Sequence, residues 1–240
     1  MRSVNGRRRR SPGRGLLILL IVVVVLLVAA DRIGLVVAER AVATKVQSSQ
    51  HLAKQPAVHI EGFPFLTQVI ANRYHAVKLD SDHLTVGAQD KQVALDRLDA
   101  RLTGVRAIHQ FSGVTAEHVT ATAQIGYSEL SQLLGIPVSY QQGGRVQTHK
   151  SVTVLGQTIT GTVSAVVTVP GGDELGFSDV RVGVASTGVQ LPQAAVNELT
   201  ALFSPQLSLA GLPYGLQVRD LAATGSGVRV TAVASNVRLG

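Results

Sequence analysis

Residues 62–79 read GFPFLTQVIANRYHAVKL, and the change of pattern inside them decides the fold. The first nine positions crowd Phe63, Phe65, Leu66, Val69 and Ile70 around Pro64, an apolar turn at the entry to a strand. From Tyr74 the pattern alternates, with Val77 and Leu79 on one face and His75, Lys78 and Asp80 interspersed, the period of a half-buried strand.

The same alternation continues outward. Residues 91–106 place Val93 and Leu95, then Leu98, Ala100 and Leu102, and the phase shift near Arg97 predicts a bulge. Further strands are predicted at 115–125, 145–154, 157–169, 175–184, 216–221 and 228–239. Glycine-rich breaks at 142–144, 171–173 and 225–227 act as hairpin turns. Two short helices interrupt the series. Residues 128–134 carry a Ser128 cap, Leu130, Leu133 and Leu134 on one side, and Gly135 as a stop. Residues 192–203 start at Pro192, align Ala195, Val196, Leu199, Leu202 and Phe203, and end before Pro205. Helices punctuating a long antiparallel meander make an α+β body, and no linker rich in Pro, Gly or Ser divides it.

Upstream, residues 16–30 (LLILLIVVVVLLVAA) are uninterruptedly apolar. As a helix they rise about 22 Å, short of a hydrocarbon core of roughly 30 Å. An uncleaved signal anchor extending to Ala38 is one reading, with Asp31 and Arg32 snorkelling. A signal peptide cleaved after Val28-Ala29-Ala30 is another. A buried core helix is disfavoured by the flanking arginines. Both export readings keep the basic end in the cytoplasm and place the body outside. The predicted organisation is a basic tail (1–14), a transmembrane anchor (15–38), whose helix continues as a polar segment to about residue 50, and an extracytoplasmic domain (39–240).

Charge supports this division. The chain of 240 residues has a formal net charge of +7, but Arg2, Arg7, Arg8, Arg9, Arg10 and Arg14 account for six of those units. The other 226 residues hold 16 Lys and Arg against 15 Asp and Glu. A nearly neutral body with 4% aromatic residues offers neither the basic footprint nor the stacking platforms of a nucleic-acid binder. Absence of cysteine excludes disulfides, thiolate catalysis, Cys-ligated zinc and a lipoprotein anchor.

No catalytic constellation emerges. The seven histidines show no HExxH spacing, and His59, His75 and His83 read as solvent-face strand residues. Asp80-Ser81-Asp82 and Asp173-Glu174 read as solvated acids at turns or strand ends. Gly225-Ser226-Gly227 lacks the frame of a nucleophile elbow, and neither a P-loop nor GxGxxG is present. No cofactor or metal is predicted. Two related apolar segments are more informative: 62–65 (GFPF) and 211–214 (GLPY) hold three of the nine aromatic residues. Such segments serve either as core plugs at strand entries or as the border of an apolar cavity.

An Arg-rich start with an apolar anchor, then GFPFLTQVIANRYHAVKL and the late GLPYGLQV, resembles the LmeA-like phospholipid-binding family of actinobacterial cell envelopes, over roughly residues 33–240. The resemblance implies a membrane-tethered, exported domain akin to tubular lipid-binding proteins, in which a curved antiparallel sheet wraps around helix and leaves an apolar groove. It also implies a phospholipid or phosphoinositide-type ligand, a role in envelope lipid or glycolipid maturation, and no enzymatic activity. Apolarity and position nominate the lipid-binding residues: Phe63, Phe65, Leu66, Val69, Ile70, Leu130, Leu133, Leu134, Leu199, Leu202, Phe203, Leu212 and Tyr214, with Arg73 as the cation for a headgroup. Two alternatives remain at this point, an envelope scaffolding protein without a lipid ligand and an accessory to a hydrolase or transferase acting on envelope glycolipids.

Overall fold

A computed structural model describes residues 12–49, 52, 54–86, 93–108, 113–154, 157–170, 174–184, 192–203, 207–208 and 212–239. Most of the basic tail and the expected turn at 171–173 lie outside the described residues.

One helix, α1 (Pro12–Ser49), carries the chain from the apolar run into the body. Its residues 16–28 stand exposed, and from Asp31 onward one face is covered, through Leu35, Ala38 and the buried Ala43. The spacing is that of a helix stripe, so the second half of α1 is a core element.

Strands β1 (Ala57–Glu61), β2 (Tyr74–Val86), β3 (Val93–Ile108) and β4 (Gly113–Ile125) form consecutive antiparallel pairs. Between β1 and β2 lies α2 (Phe65–Ala71), a short helix where the sequence suggested an irregular turn. Seven residues after a proline give too little periodicity to distinguish the two, and the covered Phe65 and Gln68 are one turn apart. Gly62 precedes it at φ +113, and a Cβ there would stand 2.7 Å from the Gln68 side chain, so glycine is required.

The chain then builds a second sheet, where the reading above expected one. Helix α3 (Tyr127–Leu134) leads to β5 (Ser139–Gln141), β6 (Arg145–Val154), β7 (Gln157–Thr168) and β8 (Glu174–Val184). Helix α4 (Gln193–Thr200), a 3-10 turn at Ala201–Phe203 and β9 (Leu207–Ser208) follow. Strands β10 (Gln217–Thr224) and β11 (Gly227–Leu239) return to the first sheet, β11 pairing with β4 from Val228–Ile125 to Leu239–Val114. The orders are β1-β2-β3-β4-β11-β10 and β5-β6-β7-β8-β9. The split arises because a hairpin more than 100 residues downstream completes the β4 edge, a pairing that local alternation does not encode.

The phase shift foreseen near Arg97 is present but is not a bulge. Asp82 pairs with Arg97 and Leu84 with Leu95, so the register is conserved across His83, whose φ is +52. Both strands turn over together. Leu84 and Leu95 are buried, whereas Asp82 and Arg97 are exposed. True register shifts occur elsewhere, between Ser164 and Val166 on β7 and between Val218 and Asp220 on β10. Arg145 seals the first. Its guanidinium donates to Ser164 Oγ at 3.3 Å, to the Ser164 carbonyl at 3.1 Å, to Asp179 Oδ2 at 2.6 Å and to the Asp179 carbonyl. The hydrogen bond from Arg181, then that from Arg145, holds the Asp179 carboxyl below its usual range.

Helix ends also differ in detail. α3 starts at Tyr127 with Gly126 as N-cap, so Ser128 lies inside the helix, while Gly135 stops it at φ +69 as expected. Pro192 is the N-cap of α4, not its first residue. The acids at 80–82 sit within β2 and not at a turn.

Two apolar clusters hold the body. The larger lies between the sheets, with Val146, Val163 and Ala165 facing Val218, Leu221 and Val228, and Leu130, Leu199 and Phe203 contributed by the short helices and their ends. A Cβ on Gly161 would stand 2.7 Å from Leu199 Cδ1, so α4 seats on β7 only because that position is bare. The smaller cluster joins Phe65 and Tyr74 to Val105, Ala116, Val119 and Val237 beneath α1. Leu216 packs against both.

Candidate functional site

The nominated residues fall into two groups. Around α2, Phe65 is buried 6.4 Å from Tyr74, but the other apolar side chains face outward. Phe63, which precedes Pro64 through a cis peptide bond, lies beneath the Arg32 guanidinium at 4.8 Å, and Ile70 is 86% exposed. Leu66 and Val69 are partly covered, and Arg73 is exposed at the start of β2.

The second group belongs to the inter-sheet cluster. Leu130, Leu199 and Phe203 are buried in it, with Phe203 4.8 Å from Phe177, and Leu134, Leu202 and Leu212 pack on its margin. Leu133 and Tyr214 are exposed on the outside, Tyr214 at φ +63. The Tyr127 hydroxyl, pushed up chiefly by burial, donates to the Thr224 carbonyl at 2.6 Å and ties α3 to β10.

Between the two clusters the sheet exposes a feature that the sequence reading missed. The ladder aligns Leu79, Ala100, Ala121 and Ala232 across four adjacent strands. The next row aligns Ser81, Leu98, Ala123 and Val230. Leu79, Leu98, Ala100, Ala121 and Ala123 are each half-buried, yet none belongs to either cluster. They share the face that carries Leu102, Val119 and Ala234 beneath α1. The result is a band of aliphatic side chains about 14 Å across three strand spacings, in which the short alanines leave a trough beside Leu79 and Leu98, with packed core at both ends. Its only sequence signal is the recurrence of alanine at alternating positions, which acquires meaning once the register is known.

The opposite face is polar. Arg97, Gln124 and Arg229 align in one row, and Asp99, Thr122 and Thr231 in the next; together they line a shallow cleft. Asp80 lies opposite Asp99, and burial, then the hydrogen bond and repulsion from Asp80, raise Asp99 above the usual carboxylate range. Ion pairs join Glu61 to Lys78 at 2.7 Å and to Arg101 at 2.6 Å, and the Lys78 hydrogen bond is the main reason the Glu61 carboxyl is lowered. His59, His75 and His83 are all exposed. Among the described residues no group of three or more His, Asp or Glu is arranged to hold a metal.

An apolar N-terminal helix, a large antiparallel sheet and an aliphatic trough are the setting for comparison with known proteins. The model of the LmeA-like phospholipid-binding family matches residues 29–233, and the chain belongs to that family. The match begins inside α1 and includes every strand to the middle of β11. No curated protein and no solved structure matches the chain.

Proposed function

We propose that this protein is anchored by α1 with residues 1–14 in the cytoplasm, and that its extracytoplasmic body holds the acyl part of a phospholipid along the Leu79–Ala100–Ala121 trough. Membership of a phospholipid-binding family supports the ligand class. The observation that carries the location is the run of half-buried aliphatic residues that neither core cluster uses. Small side chains leave depth for a chain, and each methylene moved there from water gains about 0.8 kcal/mol. Such binding needs no reacting group, and the protein acts by presenting or passing lipid in the maturation of envelope lipids or glycolipids, not as an enzyme. Arg73 supplies a cation for a phosphate headgroup at the α2 end.

Mass spectrometry of lipids retained by the full chain after mild detergent extraction tests this. Near-stoichiometric phospholipid is expected. A protein that emerges empty, and then takes up no labelled phospholipid, overturns the reading.

A further inference from the structure

On the side of α1 that faces away from the body, apolar exposure does not end at Ala30. Ile33 is 66%, Val36 43% and Val37 61% exposed. Residues 16–37 therefore present about 33 Å of helix, with the Arg32 side chain at its edge turned toward Phe63, and this matches a hydrocarbon core of roughly 30 Å. From Asp31 onward the opposite side of α1 is already covered by the body. Asp31 is 3% exposed, and a Cβ on Gly34 would stand 3.7 Å from Leu66 and 3.8 Å from Phe65. Gly34 is three residues, about 4.5 Å, short of Val37 along the axis, and Asp31 about 9 Å short. α2 thus joins α1 below the level at which the apolar surface of α1 ends. The outward side of α2 is apolar, with Phe63 60% and Ile70 86% exposed, and cationic Arg32 and Arg73 flank it.

We propose that α2 and the Phe63 turn are inserted about 5–10 Å into the leaflet that the body faces, beside α1, with Arg73 reaching its anionic headgroups and Arg32 held beside Phe63 by its 3.3 Å ion pair with Asp31. The occupant of this apolar face is the bilayer that α1 spans. The same helix carries the apolar span and holds α2, which packs on it at Asp31 and Gly34, within the length over which its other side is exposed and apolar. This rests on the membrane-anchored reading above and adds that the body is wedged in the bilayer, not suspended over it.

The chain has no cysteine, so single-cysteine variants report one position each. Phe63→Cys, Ile70→Cys and, as a control in the exposed β5–β6 turn, Gln142→Cys are labelled with an environment-sensitive fluorophore. The full chain is then placed in phosphatidylcholine–phosphatidylglycerol vesicles. Labels at 63 and 70 are expected to be quenched several-fold more by lipids carrying a nitroxide near the top of the acyl chain than by aqueous iodide, and the label at 142 the reverse. Because all three carry the same dye, insertion driven by the dye would appear at 142 as well and would overturn the proposal. So would iodide quenching at 63 and 70 equal to that at 142. Retained lipid is scored on the same labelled proteins after mild detergent extraction, before they enter the vesicles. Nitroxide quenching without bound lipid supports the wedge and removes the lipid-binding reading. Bound lipid with iodide-accessible labels does the opposite.

Discussion

Asp31 on α1 accepts the backbone N–H of Leu66 on α2 at 2.8 Å, so the long N-terminal helix supplies from outside the cap that α2 lacks in its own sequence. Pro64 holds the N-cap position and has no side-chain oxygen to offer. A carboxylate 33 residues upstream of the cap position fills that role and fixes α2 against α1.

Asp31→Ala is therefore expected to release α2. A charge-assisted hydrogen bond contributes about 1.5–3 kcal/mol, so amides in Phe65–Ala71 exchange roughly tenfold or more faster by hydrogen–deuterium exchange. Asp31→Asn keeps an acceptor and stays within a few-fold of the parent. Equal loss in both variants would show that the charge, and not the cap, holds α2.

Ala121→Phe fills the trough at its centre. Because Ala121 lies in neither packed cluster, the melting temperature is expected to change little, while retained phospholipid falls about tenfold or more, equivalent to roughly 1.4 kcal/mol of lost affinity. Thr120→Phe, one residue along on the polar face, leaves lipid content unchanged. Equal effects from both would move the ligand elsewhere.

The strands were legible because alternation is a local property, and the inward residues Ala195, Leu199 and Phe203 were legible because α4 and the 3-10 turn after it repeat them at helical spacing. The assignment of Leu199 and Phe203 to a lipid groove rested on apolarity and position, and the structure puts Leu199 at 0% and Phe203 at 4% exposure, among packed neighbours. The trough was illegible for a different reason. Ala100 and Ala121 are unremarkable until β3 and β4 are set in register and β11 is brought back beside β4. Phe63, Leu66 and Ile70 were visible as an apolar cluster, but their outward orientation depends on where α1 passes, and this is tertiary information.

Leu199→Ala removes a fully buried side chain and is expected to destabilise the body by about 2–5 kcal/mol, read as a lower denaturation midpoint. Gly161→Ala alone is also destabilising, because its methyl group meets Leu199. In the L199A background the same Gly161→Ala change is expected to be nearly neutral, and additive losses would refute that contact.

Asp99 gives a pH signature. Its folded-state pKa is raised, by burial first and by Asp80 second, so folding opposes its ionisation. Its contribution to stability is greatest below the ordinary Asp range and is lost as pH rises through the folded value. Asp99→Asn removes that loss. The variant should melt higher than the parent near neutral pH and coincide with it in acid; a constant difference at both would place the cause outside this carboxyl.

α1 runs from Pro12 to Ser49 without a break, through Gly34 and along the sheet. On the proposed anchored reading, a rigid stalk shared by membrane and body would leave the trough little freedom of height or azimuth, and the protein would be a fixture and not a ferry. Lipid leaving such a fixture would have to pass to a neighbour that comes within contact distance of the bilayer surface. Traffic across a wide envelope would then require a chain of such neighbours, with this protein as the station at the inner end.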